Sequence, residues 1–304
     1  MRIVFMGTPA FAVQSLAQLI EAGNEIAAVV TVPDKPAGRG KEMQESAVKK
    51  FALQKKLHLL QPEKLRDENF IRELKKINAD LFVVVAFRML PEVVWSLPKY
   101  GSINLHASLL PDYRGAAPIN HAIINGEHET GVSTFFLNGK IDTGEILFQR
   151  KVPIERTDTA GTLHDKLMLL GASVLVDTVH AIEIGDYKPV NQSSISGMKT
   201  APKIFRDNCL IDFSKEAQEV CNFIRGLSPH PAAYTLLKGK VLKIYACTPG
   251  MDKLYEKPGM FLTDGKSFIH VSCAKGYISI TELQLEGKKK MSTKEFLNGY
   301  SDLL

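Results

Sequence analysis

An amide and an imidazole stand two residues apart in Gly101-Ser-Ile-Asn-Leu-His-Ala-Ser-Leu-Leu-Pro-Asp-Tyr-Arg-Gly-Ala-Ala-Pro118. Residues 102–107 predict a strand, and on a strand residues two apart share a face. Ile103 and Leu105 then point one way, Asn104 and His106 the other. An amide NH2 donates to a developing oxyanion. An imidazole accepts or relays a proton near neutral pH. Side by side at a strand end, the two suit acyl transfer that needs neither a covalent intermediate nor a metal. Each has a plainer reading when taken singly: backbone satisfaction for Asn104, a core histidine for His106. A third member, Asp142, lies in the turn-like Asn138-Gly-Lys-Ile-Asp-Thr-Gly144. A carboxylate there is placed to orient His106, with an ordinary turn aspartate as the alternative.

These groups need a scaffold. Residues 2–6 predict a buried strand, broken by Gly7, with Thr8 as the expected helix cap and Pro9 as the first helical residue. Phe11, Ala12, Leu16, Leu19 and Ile20 keep helical spacing, Gly23 ends the helix, and residues 26–32 form the second strand. Such a βαβ opening argues for an α/β fold with a parallel sheet and flanking helices. Residues 81–87 are almost wholly apolar, as in a central parallel strand. Further helices are expected near 46–56, 69–77, 91–97, 117–125 and 159–184, and strands near 57–61, 131–137 and 145–153. Ligands in open α/β sheets bind at the carboxyl ends of strands, where Asn104 and His106 fall. From 187 to 203 the pattern collapses into Pro, Asn, Gln, Ser and Gly, which reads as a linker. A helix near 215–227 and short β runs at 233–238, 240–247, 268–271 and 277–285 then predict a small barrel. The expected division is a catalytic domain over 1–189, a linker over 190–205 and a second domain over 206–304.

The 304 residues, 45% apolar and 23% charged, suggest about two domains of roughly 150 residues each. That composition excludes disorder, collagen and a small disulfide scaffold. The longest nearly unbroken apolar stretch, 167–176, is about half a membrane span, so no transmembrane helix is expected. The apolar start is interrupted at Gly7, Thr8 and Pro9 and lacks a cleavage pattern, which argues against a signal peptide. Cys209, Cys221, Cys247 and Cys273 show neither CxxC nor Cys/His ligand spacing. They read as buried, inert thiols in a reducing, cytoplasmic compartment.

The net charge of +5 is localised. Nine basic residues between 31 and 66 (Lys35, Arg39, Lys41, Lys49, Lys50, Lys55, Lys56, Lys64 and Arg66) face only Asp34, Glu42, Glu45 and Glu63. Pro33, Pro36, Gly38 and Gly40 predict a flexible loop at the start of this segment. A basic loop beside a cleft suits phosphate contact, with a solvated surface as the plainer reading. The first turn, Gly7-Thr-Pro-Ala-Phe-Ala12, keeps only one glycine of the dinucleotide fingerprint, and there is no Walker A sequence. NAD and ATP binding are therefore not expected.

Several segments together resemble the 10-formyl-tetrahydrofolate-dependent formyltransferases. They are Met6-Gly-Thr-Pro-Ala-Phe11, Pro33-Asp-Lys-Pro-Ala-Gly-Arg-Gly40, Asn104-Leu-His106, Ser108-Leu-Leu-Pro-Asp-Tyr-Arg-Gly-Ala-Ala-Pro118, Ile141-Asp-Thr-Gly144 and Gly226-Leu-Ser-Pro-His-Pro231. The resemblance covers almost the whole chain. It implies a Rossmann-like catalytic domain followed by an OB-like β-barrel that binds tRNA. It implies 10-formyl-tetrahydrofolate as formyl donor, the free amine of methionine on initiator tRNA as acceptor, and a monomer acting without a membrane. Asn104, His106 and Asp142 become the catalytic set, with no metal. Ser108, Leu109, Leu110 and Pro111, together with Phe87, Met89 and Leu90, become the folate-lining residues. Arg88 departs from the glycine many relatives carry there. Lys35, Arg39 and Lys41 become tRNA contacts, Arg39 foremost, since a guanidinium stacks and makes bidentate bonds. His121 and His128 are read as structural.

Other readings weigh less. Glycinamide-ribonucleotide formyltransferases need an anion-binding glycine loop that Thr8-Pro9-Ala10 does not supply. Amino-sugar-nucleotide formyltransferases share much of the architecture and remain the enzymatic alternative. A non-catalytic RNA-binding protein would have no use for the intact Asn104, His106 and Asp142 set.

Overall fold

The computed structural model describes residues 1–37, 42–192, 198–252 and 257–304. Its chain forms two compact units. The first comprises Met1–Gly115, Thr130–Val152 and His164–Thr200; the second comprises Ala116–Glu129, Pro153–Leu163 and Ala201–Leu304. The second unit thus draws two segments from before residue 164.

In chain order the first elements are β1 (Arg2–Gly7), α1 (Ala10–Glu21), β2 (Glu25–Val30), β3 (Lys35–Ala37), β4 (Glu42–Gln44), α2 (Ala47–Gln54), β5 (Leu59–Leu60) and α3 (Glu68–Ile77). Then follow β6 (Leu81–Val85), α4 (Glu92–Trp95), β7 (Ser102–His106), β8 (Arg114–Gly115), α5 (Pro118–Ile124), β9 (Glu129–Phe136), β10 (Ile146–Pro153) and α6 (Ala160–Ile184). The first unit's sheet runs β10-β9-β7-β6-β1-β2-β5. Strands β5, β2, β1, β6 and β7 are mutually parallel, and β9 joins β7 antiparallel. From β1 the chain first builds outward through β2 and β5, then returns to lay β6 on the other side. The order therefore reverses at β1, and ligands favour such a switch point at the carboxyl ends of the strands.

Strand alternation builds the core. Val4 and Met6, Ala28 and Val30, and Phe82 and Val84 present one sheet face to Phe70, Leu74 and Ile77 of α3. Apart from Ala28, each of these buried side chains contributes about 1.5–3 kcal/mol relative to exposure. Asp67 caps α3 by accepting from Asn69 N and Phe70 N, and Asn78, at φ +49°, ends it. At α1 the structure corrects the sequence reading. Pro9, not Thr8, occupies the cap position, and it makes no side-chain bond. Gly7 is required by close approach: a Cβ there would lie 2.7 Å from the Ala12 Cβ and 3.0 Å from the Val85 carbonyl.

Helix α6 bears on the expectation that no helix spans a membrane. Its length and composition would let it cross a membrane. Leu163, Leu167, Leu175, Val179 and Ile182 are instead nearly or wholly buried in the protein.

The remaining elements are β11 (Thr200–Ala201), α7 (Ala217–Leu227), β12 (Ala233–Leu237), β13 (Lys240–Gly250), β14 (Phe261–Thr263), β15 (Ile269–Ser272), β16 (Tyr277–Leu285), β17 (Met291–Ser292) and α8 (Thr293–Tyr300). Strands β12-β13-β16-β15-β14 form an antiparallel sheet, with β17 paired to β16. The sheet curls into an OB-like half-barrel. Its core joins Val220, Cys221 and Ile224 of α7 to Leu242, Ile244, Ile278, Ile280 and Phe296. Helix α8 escaped the sequence reading although it carries a capping box, Ser292 with Glu295.

Candidate active site

Asn104 and His106 lie on β7, paired with Val84 of β6 and with Phe135 and Ser133 of β9. His106 is only 7% exposed. Nε2 lies 2.9 Å from the Tyr113 carbonyl. A carbonyl only accepts, so Nε2 carries the hydrogen and Nδ1 keeps its lone pair in the neutral ring. Nδ1 faces Asp142 Oδ2 at 3.9 Å. That separation exceeds a direct hydrogen bond. Two acceptors thus look at each other across a gap that suits an incoming donor, either an ammonium proton or a bridging water. The same carboxylate oxygen is steadied by Gly115 N, which donates to Oδ2 at 3.0 Å. Asn104 is half-buried, and among the described residues its side-chain amide has no hydrogen-bond partner. It is a donor held in place without a protein acceptor.

Local backbone geometry sets these positions. Asp142 adopts φ +51° and Tyr113 φ +60°, both in the left-handed region that non-glycine residues enter rarely. Gly144 is obligatory, because a Cβ there would lie 1.6 Å from the Phe136 carbonyl. Asn138 Oδ1 accepts from Lys140 N and Thr143 Oγ1, closing the Asp142 turn on itself.

The segments expected to line a folate leave neighbouring strands: 86–90 follows β6, and 107–113 follows β7. Their side chains divide sharply. Met89 is exposed and Phe87 half-buried, whereas Leu90 belongs to the core beneath the sheet. Leu110 packs with Phe135 and Ile146, Pro111 is buried, and Leu109 lies against Gly131. Ser108, wholly buried, donates to the Asp112 carbonyl at 2.6 Å. Ser133 Oγ donates to Ser108 O and receives Leu110 N, and Gln149 donates to Leu110 O. Most of these side chains therefore pack into the domain, and the backbone groups of Ser108, Leu110 and Asp112 are bonded within it.

Arg88 turns away from the β7 loop. Its guanidinium donates to the carbonyls of Pro62 and Glu63 at 2.8 and 3.0 Å, bracing the exit of β6 against the exit of β5. Burial lowers its pKa, and Nε is a buried donor without a partner among the described residues.

Lys35 is exposed on β3, opposite Gln44 of β4. The Pro- and Gly-rich segment expected to be a flexible loop is thus a hairpin ladder on its described sides. Arg39 and Lys41 lie outside the described residues. The foot of the hairpin is anchored, because Asp34 pairs with Lys49 and accepts from Gln61 Nε2 at 3.0 Å. The Lys49 bond, followed by that of Gln61, lowers the Asp34 pKa, and the Asp34 bond raises that of Lys49.

Sequence reasoning missed four contributors: the Tyr113 carbonyl, the Gly115 amide, Arg114 and Gln192. The first three sat inside a quoted motif without a role. Gln192 sat in the segment read as a linker. Of the two histidines set aside as structural, His121 bonds the Pro202 carbonyl at 3.0 Å, and the His128 carbonyl accepts from Ile154 N. Among the described residues no group of three or more His, Cys, Asp or Glu side chains is placed to hold a metal.

An α/β sheet with an amide and an imidazole on β7 and a carboxylate facing the imidazole, followed by a curled β-domain, is a scaffold suited to acyl transfer. Comparison with known proteins makes the class definite. Residues 1–179 match the formyl transferase family model, and residues 203–301 match the model of the formyl transferase carboxy-terminal domain. The chain belongs to the formyltransferase family. Within it, the chain is 50% identical to a methionyl-tRNA formyltransferase of Bacteroides thetaiotaomicron, over 99% of this chain and 96% of that protein. It is 49% identical to the methionyl-tRNA formyltransferase of Flavobacterium johnsoniae, over 98% and 96%. Among solved structures, the sugar 3N-formyltransferase WlaRD, crystallised with dTDP and 5-N-formyl-THF, aligns with a TM-score of 0.67 at 24% identity, covering 95% of this chain and 99% of its own. HypX from Aquifex aeolicus, in complex with tetrahydrofolic acid, aligns with a TM-score of 0.66 at 18% identity, covering 99% and 47%. Both show a shared fold.

Proposed function

We propose that this enzyme transfers the formyl group of 10-formyl-tetrahydrofolate to the free amine of methionine carried by initiator tRNA, serving translation initiation in the cytoplasm. The observation that carries the reading is half-identity to methionyl-tRNA formyltransferases over nearly the full length of both chains. An amino-sugar nucleotide as acceptor has weaker support, since the sugar formyltransferases share the fold at 24% identity or less.

The chemistry follows from the site. The methionyl amine attacks the formyl carbon, and the carbonyl oxygen becomes a tetrahedral oxyanion. The Asn104 amide, held without a protein acceptor, donates to that oxygen. The attacking nitrogen becomes an ammonium and must lose a proton. His106 receives it at Nδ1, directly or through a water, because the Tyr113 carbonyl holds the other ring nitrogen as a donor. Asp142 faces the same gap, stabilises the imidazolium and steadies the bridging water. The C–N bond to the folate nitrogen then breaks, that nitrogen takes up a proton, and tetrahydrofolate leaves.

Two segments hold the folate in this reading. Phe87, Met89 and Leu90 lie on one, and Ser108, Leu109, Leu110 and Pro111 on the other, mostly through backbone. Lys35, Arg39 and Lys41 of the hairpin contact the tRNA. The functional division is a catalytic domain over 1–189, a connecting stretch over 190–205 and a tRNA-binding OB-like domain over 206–304. The protein acts as a monomer. One assay tests the reading: charged initiator tRNA with 10-formyl-tetrahydrofolate, against elongator methionyl-tRNA and an amino-sugar nucleotide as controls. Formylation of the sugar alone would overturn it.

A further inference from the structure

We propose that Gln192 is a positioning residue for catalysis, fixing the Asp142 turn against the Arg114–Gly115 strand. It lies in the stretch whose composition reads as a linker, yet it is 2% exposed. Its amide is fully used. Oε1 accepts from Arg114 Nε at 3.2 Å and from Arg114 Nη2 at 2.6 Å. Nε2 donates to the Asp142 carbonyl at 3.2 Å and to the Gly144 carbonyl at 2.6 Å. The orientation of the amide is not ambiguous. A guanidinium only donates and a carbonyl only accepts, so only one assignment of oxygen and nitrogen serves all four bonds.

The consequence reaches the reacting groups. Asp142 must hold its carboxylate toward His106 Nδ1 while its backbone sits at φ +51°. Gly115 N reaches the carboxylate from the same strand that presents Arg114. Gln192 therefore joins the two pieces of chain whose relative placement sets the 3.9 Å gap. Neighbouring residues hold it there. Val190 exchanges two backbone bonds with Ile146, at 2.8 and 2.9 Å. On the far side, Tyr113 N donates to Lys199 O at 2.7 Å and Lys199 N to Asp112 Oδ1 at 3.0 Å. The apparent linker is thus stitched to the loop that carries the Tyr113 carbonyl and to the strand that leads out of the Asp142 turn. No side chain other than glutamine supplies two donors and two acceptors at this reach. Glutamate keeps the Arg114 bonds but sets a carboxylate against two carbonyls; methionine keeps the shape and loses everything polar.

This inference rests on the catalytic role proposed for Asp142, and a double-mutant cycle separates the two. In the full-length enzyme, Gln192→Glu and Gln192→Met should each lower kcat by about 10- to 100-fold, the scale of a misplaced catalytic group. KM for charged initiator tRNA and for 10-formyl-tetrahydrofolate should stay within about threefold, since no ground-state contact is removed. Gln192→Glu retains shape and the Arg114 contact, so it guards against a trivial folding failure, checked by its thermal midpoint. In an Asp142→Asn background, adding Gln192→Glu should cost no more than about threefold, because residues acting as a unit are not additive. Full multiplication of the two losses would overturn the proposal while leaving Asp142 catalytic. A wild-type rate for Asp142→Asn alone would overturn the catalytic set and this inference with it. A wild-type rate for Gln192→Glu, or a loss confined to KM, would overturn the inference alone.

Discussion

His106 of the first unit and the cysteines of the second are hidden from water to a similar degree: 7% exposed for His106, 4% for Cys221, 5% for Cys273. Their surroundings differ in kind. Around His106 each ring nitrogen faces a polar partner, a carbonyl on one side and a carboxylate on the other. Around the thiols the neighbours are Val220, Ile224, Leu242, Ile244, Val271, Ile278 and Ile280. Cys221 and Cys247 face each other, Sγ to Sγ, at 3.0 Å. The Cys221 hydrogen bond and then burial push the Cys247 pKa well up, and burial raises that of Cys273 from its ordinary 9.0 to about 11. Equal burial thus serves two ends. At the end of β7 it accompanies a ring nitrogen left as an acceptor, and within the half-barrel it holds the thiols in their neutral form.

The largest effects that can break this contrast lie at β7. Asn104→Ala should lower turnover by about 100- to 1,000-fold through loss of an oxyanion donor. His106→Ala should lower it by about 100- to 10,000-fold. Both variants should keep a wild-type circular dichroism spectrum. Near-normal single-turnover rates in both would make His106 a core histidine after all. Asp142→Asn keeps the shape and removes the charge. A loss of about 10- to 100-fold is expected there, measured by single turnover with saturating folate.

Asn104 and His106 were legible as a candidate pair because the signal is local. Asn104 and His106 share a face through the period of two on one strand, and hydrophobic Ile103 and Leu105 mark the other. Gln192 was not legible, because its bonds to Arg114, Asp142 and Gly144 span 48 to 78 residues. Its neighbours Asn191, Ser193 and Ser194 resemble any linker. The hairpin of β3 and β4 was hidden likewise, since proline and glycine signal irregular chain while the ladder depends on pairing 35–37 with 42–44. Thr8 failed as a cap for a geometric reason. The helix begins one residue later than the cap rule suggested, so Pro9 fills the cap position.

A smaller effect tests the hairpin. Replacing Lys35, Arg39 and Lys41 together by Ala removes the three cations proposed to contact tRNA phosphates. The plot of log tRNA affinity against log salt should become shallower by about 2, on a per-phosphate contribution of about 0.7–0.9. Folate affinity should be unaltered. Discrimination between initiator and elongator tRNA should weaken, with Arg39→Ala taking more of the loss than Lys41→Ala. An unchanged salt slope would leave the segment a solvated surface.

The smallest effect concerns the half-barrel and returns to the thiols. A thiol whose pKa is raised on folding favours its neutral form in the native state. Its contribution is therefore complete below about pH 9 and is lost as pH rises toward 11, because the unfolded chain gains by ionising first. For Cys273 the shift from 9.0 to about 11 corresponds to roughly 2–3 kcal/mol once both limits are passed. Lysines and tyrosines titrate in the same range, so wild type alone is uninformative. The discriminating quantity is the difference between wild type and Cys273→Ala in urea midpoint, followed from about pH 8 to 11. That gap should narrow or reverse as pH rises, since only the wild type loses this contribution. At neutral pH, alkylation of Cys247 and Cys273 in the native protein should be slow compared with the urea-unfolded chain, as reactivity follows the thiolate. Fast native alkylation, or a midpoint gap that does not vary with pH, would mean that burial in the half-barrel does not hold these thiols neutral. The contrast with His106 would then reduce to the identity of the side chains alone.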